Sequence, residues 1–278
     1  MKKNVSIEER LNLILQQEES ERAISLERLA QDYHDAGEPQ KQFTAYDDAA
    51  RLYQKMGDHL KAAMCFAAAA TSWDIHTGWQ SLLNSATRNY YAGVEAVKAQ
   101  QFDYAESLFR NAAILYDKEG DYDRFSDCII QAHTARRKKD WVIAFGKHHN
   151  NASFAELKFD IKTRIRCFFD AIASLVSEGF WGHGEKPFRT FALAILLIFG
   201  CAGIYAFTGE VMVKGVEKPL SLFEAVYFSV VTFSTVGYGD YAPVGITRIV
   251  AMFEVIIGII ILPLFLVALT RRFLRVER

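Results

Sequence analysis

Residues Thr232–Pro243 read TFSTVGYGDYAP, and what this stretch means decides what the C-terminal part of the chain is. Gly237 and Gly239 bracket Tyr238, two and four residues after Thr235. A glycine pair around a tyrosine could be an ordinary turn. The sequence on either side is what gives it weight.

Two apolar segments flank it. FRTFALAILLIFGCAGIYAF (188–207) carries no charge after Arg189, and IVAMFEVIIGIIILPLFLVAL (249–269) carries only Glu254. A bilayer core takes about 20 apolar residues in a helix, so both segments are expected to span. A buried core helix would explain one such segment; two in the last hundred residues argue against it. Lys158, Lys162, Arg164, Arg166, Lys186 and Arg189 precede the first segment, and Arg271, Arg272, Arg275 and Arg278 follow the second. Between the spans Lys214, Lys218 and Arg248 stand against Glu210, Glu217, Glu224 and Asp240. Basic excess marks the cytoplasmic side, which predicts a multi-pass protein of the cell membrane with both termini inside. LSLFEAVYFSVVTFS (220–234) is apolar but too short to span. It predicts a re-entrant helix over about 221–233, with Ser221 and Glu224 spaced as a capping box.

The quoted stretch comes directly after that short helix. A cation entering a membrane loses water and needs oxygen ligands in return, which backbone carbonyls can supply if several chains line one pore. Consecutive inward carbonyls demand conformations that L-residues resist, and glycine at 237 and 239 can take positive φ without a Cβ clash. Thr235–Asp240, TVGYGD, resembles the selectivity-filter signature of tetrameric potassium channels with a pore loop between two helices. The resemblance covers roughly Pro187 to Arg272. It implies K+ as the permeating ion, a homotetramer around one central pore, and ion sites built from the carbonyls of Thr235, Val236, Gly237 and Tyr238 with the Thr235 hydroxyl. Gly239 and Asp240 would support the filter, with Val236 and Tyr238 packing outward.

Other residues take roles from the same resemblance. Tyr227 and Phe228 match the aromatic pair that packs around the filter. Val231 stands where some bacterial members carry a glutamate bonded to the filter aspartate, so Asp240 lacks that partner, and Tyr227 is a substitute donor. Gly258 falls near the family's hinge glycine, and Pro263 should kink the helix; the alternative is that Gly258 only permits close packing. Glu254 is costly in a membrane and should face protein or a water-filled cavity. It either bonds beneath the filter, to Thr232 or Ser234, or faces the cavity and concentrates cations.

The N-terminal half reads differently. Residues 1–140 hold a single proline, Pro39, and many alanines. YHDAGE (33–38), YQKMGD (53–58) and YDKEGD (116–121) share Tyr-x-x-x-Gly-acid, as for a helix ending at a glycine with the next starting on an acid. The first two are 20 residues apart and the third lies 63 further on, room for three helix-plus-turn units. KAAMCFAAAA (61–70) echoes YAESLFRNAA (104–113), with Ala62, Phe66 and Ala69 falling 43 residues before Ala105, Phe109 and Ala112. This resembles a tetratricopeptide (TPR)-type array, closer to the divergent arrays of vesicle-fusion adaptors than to regular ones. Such an array would serve either as a sensor, offering a concave face to a peptide, protein or small ligand, or mainly in assembly.

ARRKKDW (135–141) is expected to end the array. Ser153 and Glu156 form a second capping-box pattern, opening a helix whose apolar face carries Phe154, Leu157, Ile161, Ile165, Phe168, Phe169, Ile172, Leu175 and Val176. With its basic counterface and Phe180–Trp181 at its end, it suits either an amphipathic helix on the inner membrane surface or a packing helix between domains. MKKNVSIEERLNL has no apolar core, so no signal peptide is expected. No apolar helix carries regularly spaced arginines, so no voltage sensor is expected. The formal charge of −1 points to no nucleic acid, and the four scattered cysteines and the His148–His149 pair lack metal-ligand spacing.

The chain therefore reads as all-α. A cytoplasmic TPR-like α-solenoid (1–140) leads through a linker and interfacial helix (141–186) to a two-helix pore domain (187–278). The expected function is passive, potassium-selective conduction, without an enzymatic step or organic cofactor. The alternative is a membrane-tethered helical-repeat adaptor with a vestigial or non-selective pore.

Overall fold

The computed structural model describes residues 7–72, 79–145, 159–208, 210–213 and 215–276. The expected features at His148–His149, Ser153, Phe154, Glu156, Leu157, Lys158, Lys214 and Arg278 lie outside them. Two compact units divide the chain, Met1–Leu175 and Val176–Arg278, each with its own apolar core.

In the first unit α1 (Ile7–Ile14), α2 (Glu19–Asp35), α3 (Pro39–Met56), α4 (His59–Thr71), α5 (Trp79–Lys98), α6 (Phe102–Glu119) and α7 (Tyr122–Phe145) succeed one another, and from α2 to α7 each packs on the next. Alanines let them approach: Ala49, Ala62, Ala63, Ala92, Ala96, Ala105 and Ala112 have no solvent exposure. Gly93 takes this furthest, since a Cβ there would sit 2.8 Å from the Phe109 ring. The repeated Tyr-x-x-x-Gly-acid string does what its residues suggest. Gly37, Gly57 and Gly120 take positive φ (71°, 80° and 74°), and the amides of Glu38, Asp58 and Asp121 bond back to the carbonyls of Tyr33, Tyr53 and Tyr116 at 2.9, 3.0 and 3.0 Å. This is the Schellman geometry that satisfies orphan carbonyls at a helix end. Asp58 and Asp121 then cap the next helix, accepting from the amides of Lys61 and Arg124 at 3.2 and 3.1 Å; Glu38 has no side-chain cap.

A fourth turn of the same build escapes the string. Between α5 and α6 the amide of Gln101 bonds to the Ala96 carbonyl at 2.8 Å, and Gln100 occupies the left-handed position at φ 60°. The basic run of ARRKKDW does not end the array either, because α7 continues through it to Phe145, and Lys139 pairs with Asp103 at 2.6 Å. The next helix, α8 (Ile161–Trp181), starts later than expected. Phe159 and Asp160 are not helical, and Asp160 accepts from the Ile161 amide at 2.8 Å. The N-terminal part of α8 packs on α7: Phe168 stands edge-on to Trp141 at 5.8 Å, and Arg164 donates to the Ala144 carbonyl at 3.1 Å.

In the second unit Trp181 closes α8 by donating from Nε1 to Ser177 Oγ at 2.6 Å, and Gly182, His183 and Gly184 all take positive φ in the turn after it. α9 (Pro187–Thr208) and α11 (Thr247–Val276) are long and apolar enough to cross a membrane, α11 over Thr247–Arg271. Between them lies α10 (Leu222–Phe233). The unit is mostly helical, as expected, but its described residues also form three short strands. β1 (Val211–Val213) pairs antiparallel with β2 (Val216–Glu217) and with β3 (Tyr241–Pro243), in the order β2-β1-β3. Strands of two or three residues carry too little alternation to be read, and the β1–β3 partners lie some thirty residues apart. Their pairing ties the end of α9 to the segment just before α11.

The first unit also buries an acid. Glu95 on α5 has 1% of its surface exposed and accepts from Gln54 Nε2 at the end of α3, His59 Nδ1 at the start of α4, and Lys98 Nζ, each at 2.7 Å. Burial works against the charged carboxylate, but the bonds from Lys98, Gln54 and His59 together outweigh it and hold the pKa below its ordinary 4.5. A depressed acid stabilises the fold above its unfolded pKa and loses that contribution as pH falls through the folded one. Unfolding followed from about pH 6 to pH 3 should therefore show a steeper loss of stability in the native chain than in Glu95→Gln, the native chain's advantage shrinking below 4.5.

Candidate ion-conduction site

The site is built on α10. Its N-terminus carries the expected capping box: Glu224 amide to Ser221 Oγ at 3.3 Å and Ser221 amide to Glu224 Oε2 at 2.9 Å. Lys218 adds a bond to Glu224 at 2.9 Å. At the other end the helix does not simply stop. The amides of Thr235 and Val236 bond back to the carbonyls of Thr232 and Val231 at 3.0 and 3.1 Å, so the quoted stretch hangs directly from the last turn.

Along Thr235–Asp240 the sign of φ alternates. Thr235, Gly237 and Gly239 lie at 59°, 56° and 77°, and the residues between them have negative φ. Both glycines were expected there; Thr235 was not. A β-branched residue in this region is a genuine outlier, at a cost of about 1–3 kcal/mol that the surroundings must offset. Val236 and Tyr238 are 52% and 70% exposed on the single chain. Behind the stretch a cleft of about 700 Å³ is lined by Phe228, Thr232, Thr235, Gly237, Met252 and Ile256 among others.

The neighbours match part of the expectation. Tyr227 stands near enough to Asp240 to feel its charge, on the side where the missing glutamate would have come. Its ring also meets Tyr241 on β3 at 5.6 Å. Phe228 turns the other way, buried against Tyr205 of α9 at 4.7 Å and Tyr241 at 6.2 Å.

Glu254 is wholly buried, but neither Thr232 nor Ser234 holds it. Tyr205 Oη donates to its Oε2 at 2.7 Å, Ser229 Oγ meets its Oε1, and the Cys201 thiol lies close by. Partners on α9 were invisible from spacing, because they lie some fifty residues upstream; the Ser234 hydroxyl is instead taken by the carbonyl of Val230 in its own helix.

Gly258, one turn further along α11, has a packing role. A Cβ there would strike the backbone carbonyl of Phe233 at the end of α10. α11 runs unbroken through Pro263, which leaves the carbonyl of Ile259 without its helical donor. Just ahead of α11, Glu210 fastens the chain: the Ile246 amide donates to its carboxylate at 2.6 Å, and the Thr247 hydroxyl to its carbonyl at 2.6 Å. Gly258→Ala must push the two helices apart, an overpacking cost of about 1–3 kcal/mol. The full-length protein in detergent should melt several degrees lower; an unchanged melting temperature would refute the packing role.

The family comparison falls on this module. A family profile described as "Ion channel" matches residues 192–275. Over 62 residues the chain is 39% identical to potassium channel subfamily T member 1 of Gallus gallus, and over 74 residues 34% identical to the Homo sapiens protein of that name. A putative potassium channel protein of Rhodopseudomonas palustris is 36% identical over 80 residues. These matches cover 21%, 25% and 27% of this chain and only 5%, 6% and 19% of the relatives. No solved structure matches the chain. Two helices able to cross a membrane, a short helix between them and a TVGYGD loop lie in or beside the matched region, and its C-terminal module is an ion channel domain of the two-helix, pore-loop kind found in potassium channels.

Proposed function

We propose that the chain is a subunit of a potassium-selective channel, in which four copies surround one pore and Thr235–Tyr238 line it. The alternation of φ at Thr235, Gly237 and Gly239 carries this reading. In an extended strand successive carbonyls point to opposite sides; reversing the hand at every second residue swings them towards one side. Four such strands would offer K+ rings of oxygens in place of its hydration shell, with the Thr235 hydroxyl at the inner end. Val236 and Tyr238, uncovered on one chain, would then pack on neighbouring copies and hold the ring diameter. The names of the relatives point to the same ion.

The rest of the chain would regulate. α8 leaves Ile161, Ile165, Phe169, Leu175, Val176 and Phe180 exposed, an apolar stripe that suits the cytoplasmic membrane surface, with Lys162, Arg164 and Arg166 nearby for anionic headgroups. The first unit, read as a TPR-like solenoid, would present a face to a peptide, protein or small ligand and act on the pore through α8. Bending at Gly258 or Pro263 would open the cytoplasmic mouth, both termini lying on that side.

The test is ion flux into liposomes holding the purified full-length protein. Potassium flux that barium blocks, with little sodium flux, is expected; equal flux of both ions would overturn the reading. Gly237→Ala forces a Cβ into a left-handed position, at about 1–2 kcal/mol in each subunit, and should abolish selective flux. Removing residues 1–150 should change open probability while leaving selectivity intact, and a folded, truncated channel that admitted sodium freely would refute the modular assignment.

A further inference from the structure

Glu254 is not among the residues read as ion sites, yet it sits fully buried within the first turns of an apolar helix. Such a residue is expensive to keep in a membrane. Its partners come from both other helices of the unit. Tyr205 on α9 donates to Oε2 at 2.7 Å, and Ser229 on α10 meets Oε1. Cys201, one turn before Tyr205, brings its thiol close. All three are neutral, so no cation among them offsets a charge on the carboxyl.

The proton count fits a hydrogen-bonding role. Ser229 is wholly buried and also reaches the Ile198 carbonyl at 2.9 Å. A hydroxyl has one proton, and a carbonyl can only accept. With that proton on Ile198, the Ser229 oxygen is left to accept from position 254, while the other oxygen of Glu254 accepts from Tyr205. Every polar group is then satisfied, which a low-dielectric interior demands.

The contact recurs one turn on. Gly258 lies against the Phe233 carbonyl, four residues beyond Ser229, just as Gly258 is four beyond Glu254. α10 and α11 therefore meet twice in register, once through a hydrogen bond and once through backbone contact. The first amides of the filter bond back to Val231 and Thr232, between these two contacts. Any slip of α10 against the spans is passed straight to Thr235.

We propose that Glu254 is a positioning residue for the conduction site. By bonding Tyr205 and Ser229 it locks the short helix to both spans, and this three-way clasp sets the filter geometry on which selectivity depends. The clasp acts through hydrogen bonds and not through fixed charge. The proposal rests on reading Thr235–Tyr238 as the potassium filter.

The experiment compares full-length native protein with Glu254→Gln, Glu254→Leu, Ser229→Ala and Tyr205→Phe. Each is scored for its potassium-to-sodium permeability ratio in reconstituted bilayers and for its melting temperature in detergent. Glutamine can accept from Tyr205 and donate to Ser229, so Glu254→Gln should stay within about twofold of native. Glu254→Leu, Ser229→Ala and Tyr205→Phe should each lower the ratio about three- to tenfold, the range one buried hydrogen bond allows. Adding Tyr205→Phe to Glu254→Leu should cost little more, because the bond from that hydroxyl is already gone. Native ratios in folded Ser229→Ala and Tyr205→Phe, each the loss of one oxygen, would overturn the clasp. So would a Glu254→Gln ratio as low as that of Glu254→Leu. If the native protein itself fails to favour potassium, the filter reading fails, and the clasp is judged by melting alone. Non-additive shifts for Glu254→Leu and Tyr205→Phe would then support it, and additive shifts would refute it.

Discussion

Backbone that is neither helix nor sheet can lie at membrane depth only where its polar groups are satisfied or line a water-filled path. Residues 234–240 are such backbone, set between two helices apolar enough to cross a bilayer. Much of the second unit answers to that constraint. The last turn of α10 takes the amides of Thr235 and Val236, Tyr227 stands beside Asp240, and the pairing of β3 with β1 fastens the far end to the end of α9. Thr235 is held at positive φ by this frame, since nothing in its own side chain favours that conformation.

The frame is itself fastened by close contacts that tolerate little change. Gly258 is glycine because the Phe233 carbonyl occupies the space where a Cβ would go. Four residues away, Glu254 does with hydrogen bonds what Gly258 does by having no side chain. Two helices held at two consecutive turns cannot easily slide or rotate, and an irregular loop can keep one shape only if its support is stiff. The first unit solves a different problem by similar means. Gly93 and the unexposed alanines bring helices together, and Glu95 stitches α3, α4 and α5 where their ends converge.

Much of this was legible where a residue's own chemistry dictates its conformation. Gly37, Gly57 and Gly120 read as helix ends because only glycine takes positive φ freely, and Ser221 with Glu224 read as a helix start because each satisfies the other's amide. Gln100 was not legible. It fills the same left-handed position with a side chain that gives no sign of it, and only the packing of α5 against α6 forces it there. The three short strands were hidden for want of length. The start of α8 at Ile161 was hidden because Asp160, which accepts from the Ile161 amide, lacks a glutamate three residues on to mark a capping box.

By itself, then, the amino-acid sequence determined the apolar spans, the short helix with its capping box, the glycines of the TVGYGD string and the tyrosine-glycine punctuation of the first unit. All of these come from hydropathy, backbone freedom or a contact within a few residues. Only the tertiary structure decided that Glu254 joins Tyr205 and Ser229 and not Thr232 or Ser234, and that Gly258 is occupied by packing. It also decided that Thr235 shares the left-handed alternation of its glycine neighbours. Each depends on which atoms from distant segments compete for the same small space or the same proton, and that competition exists only once the helices are side by side.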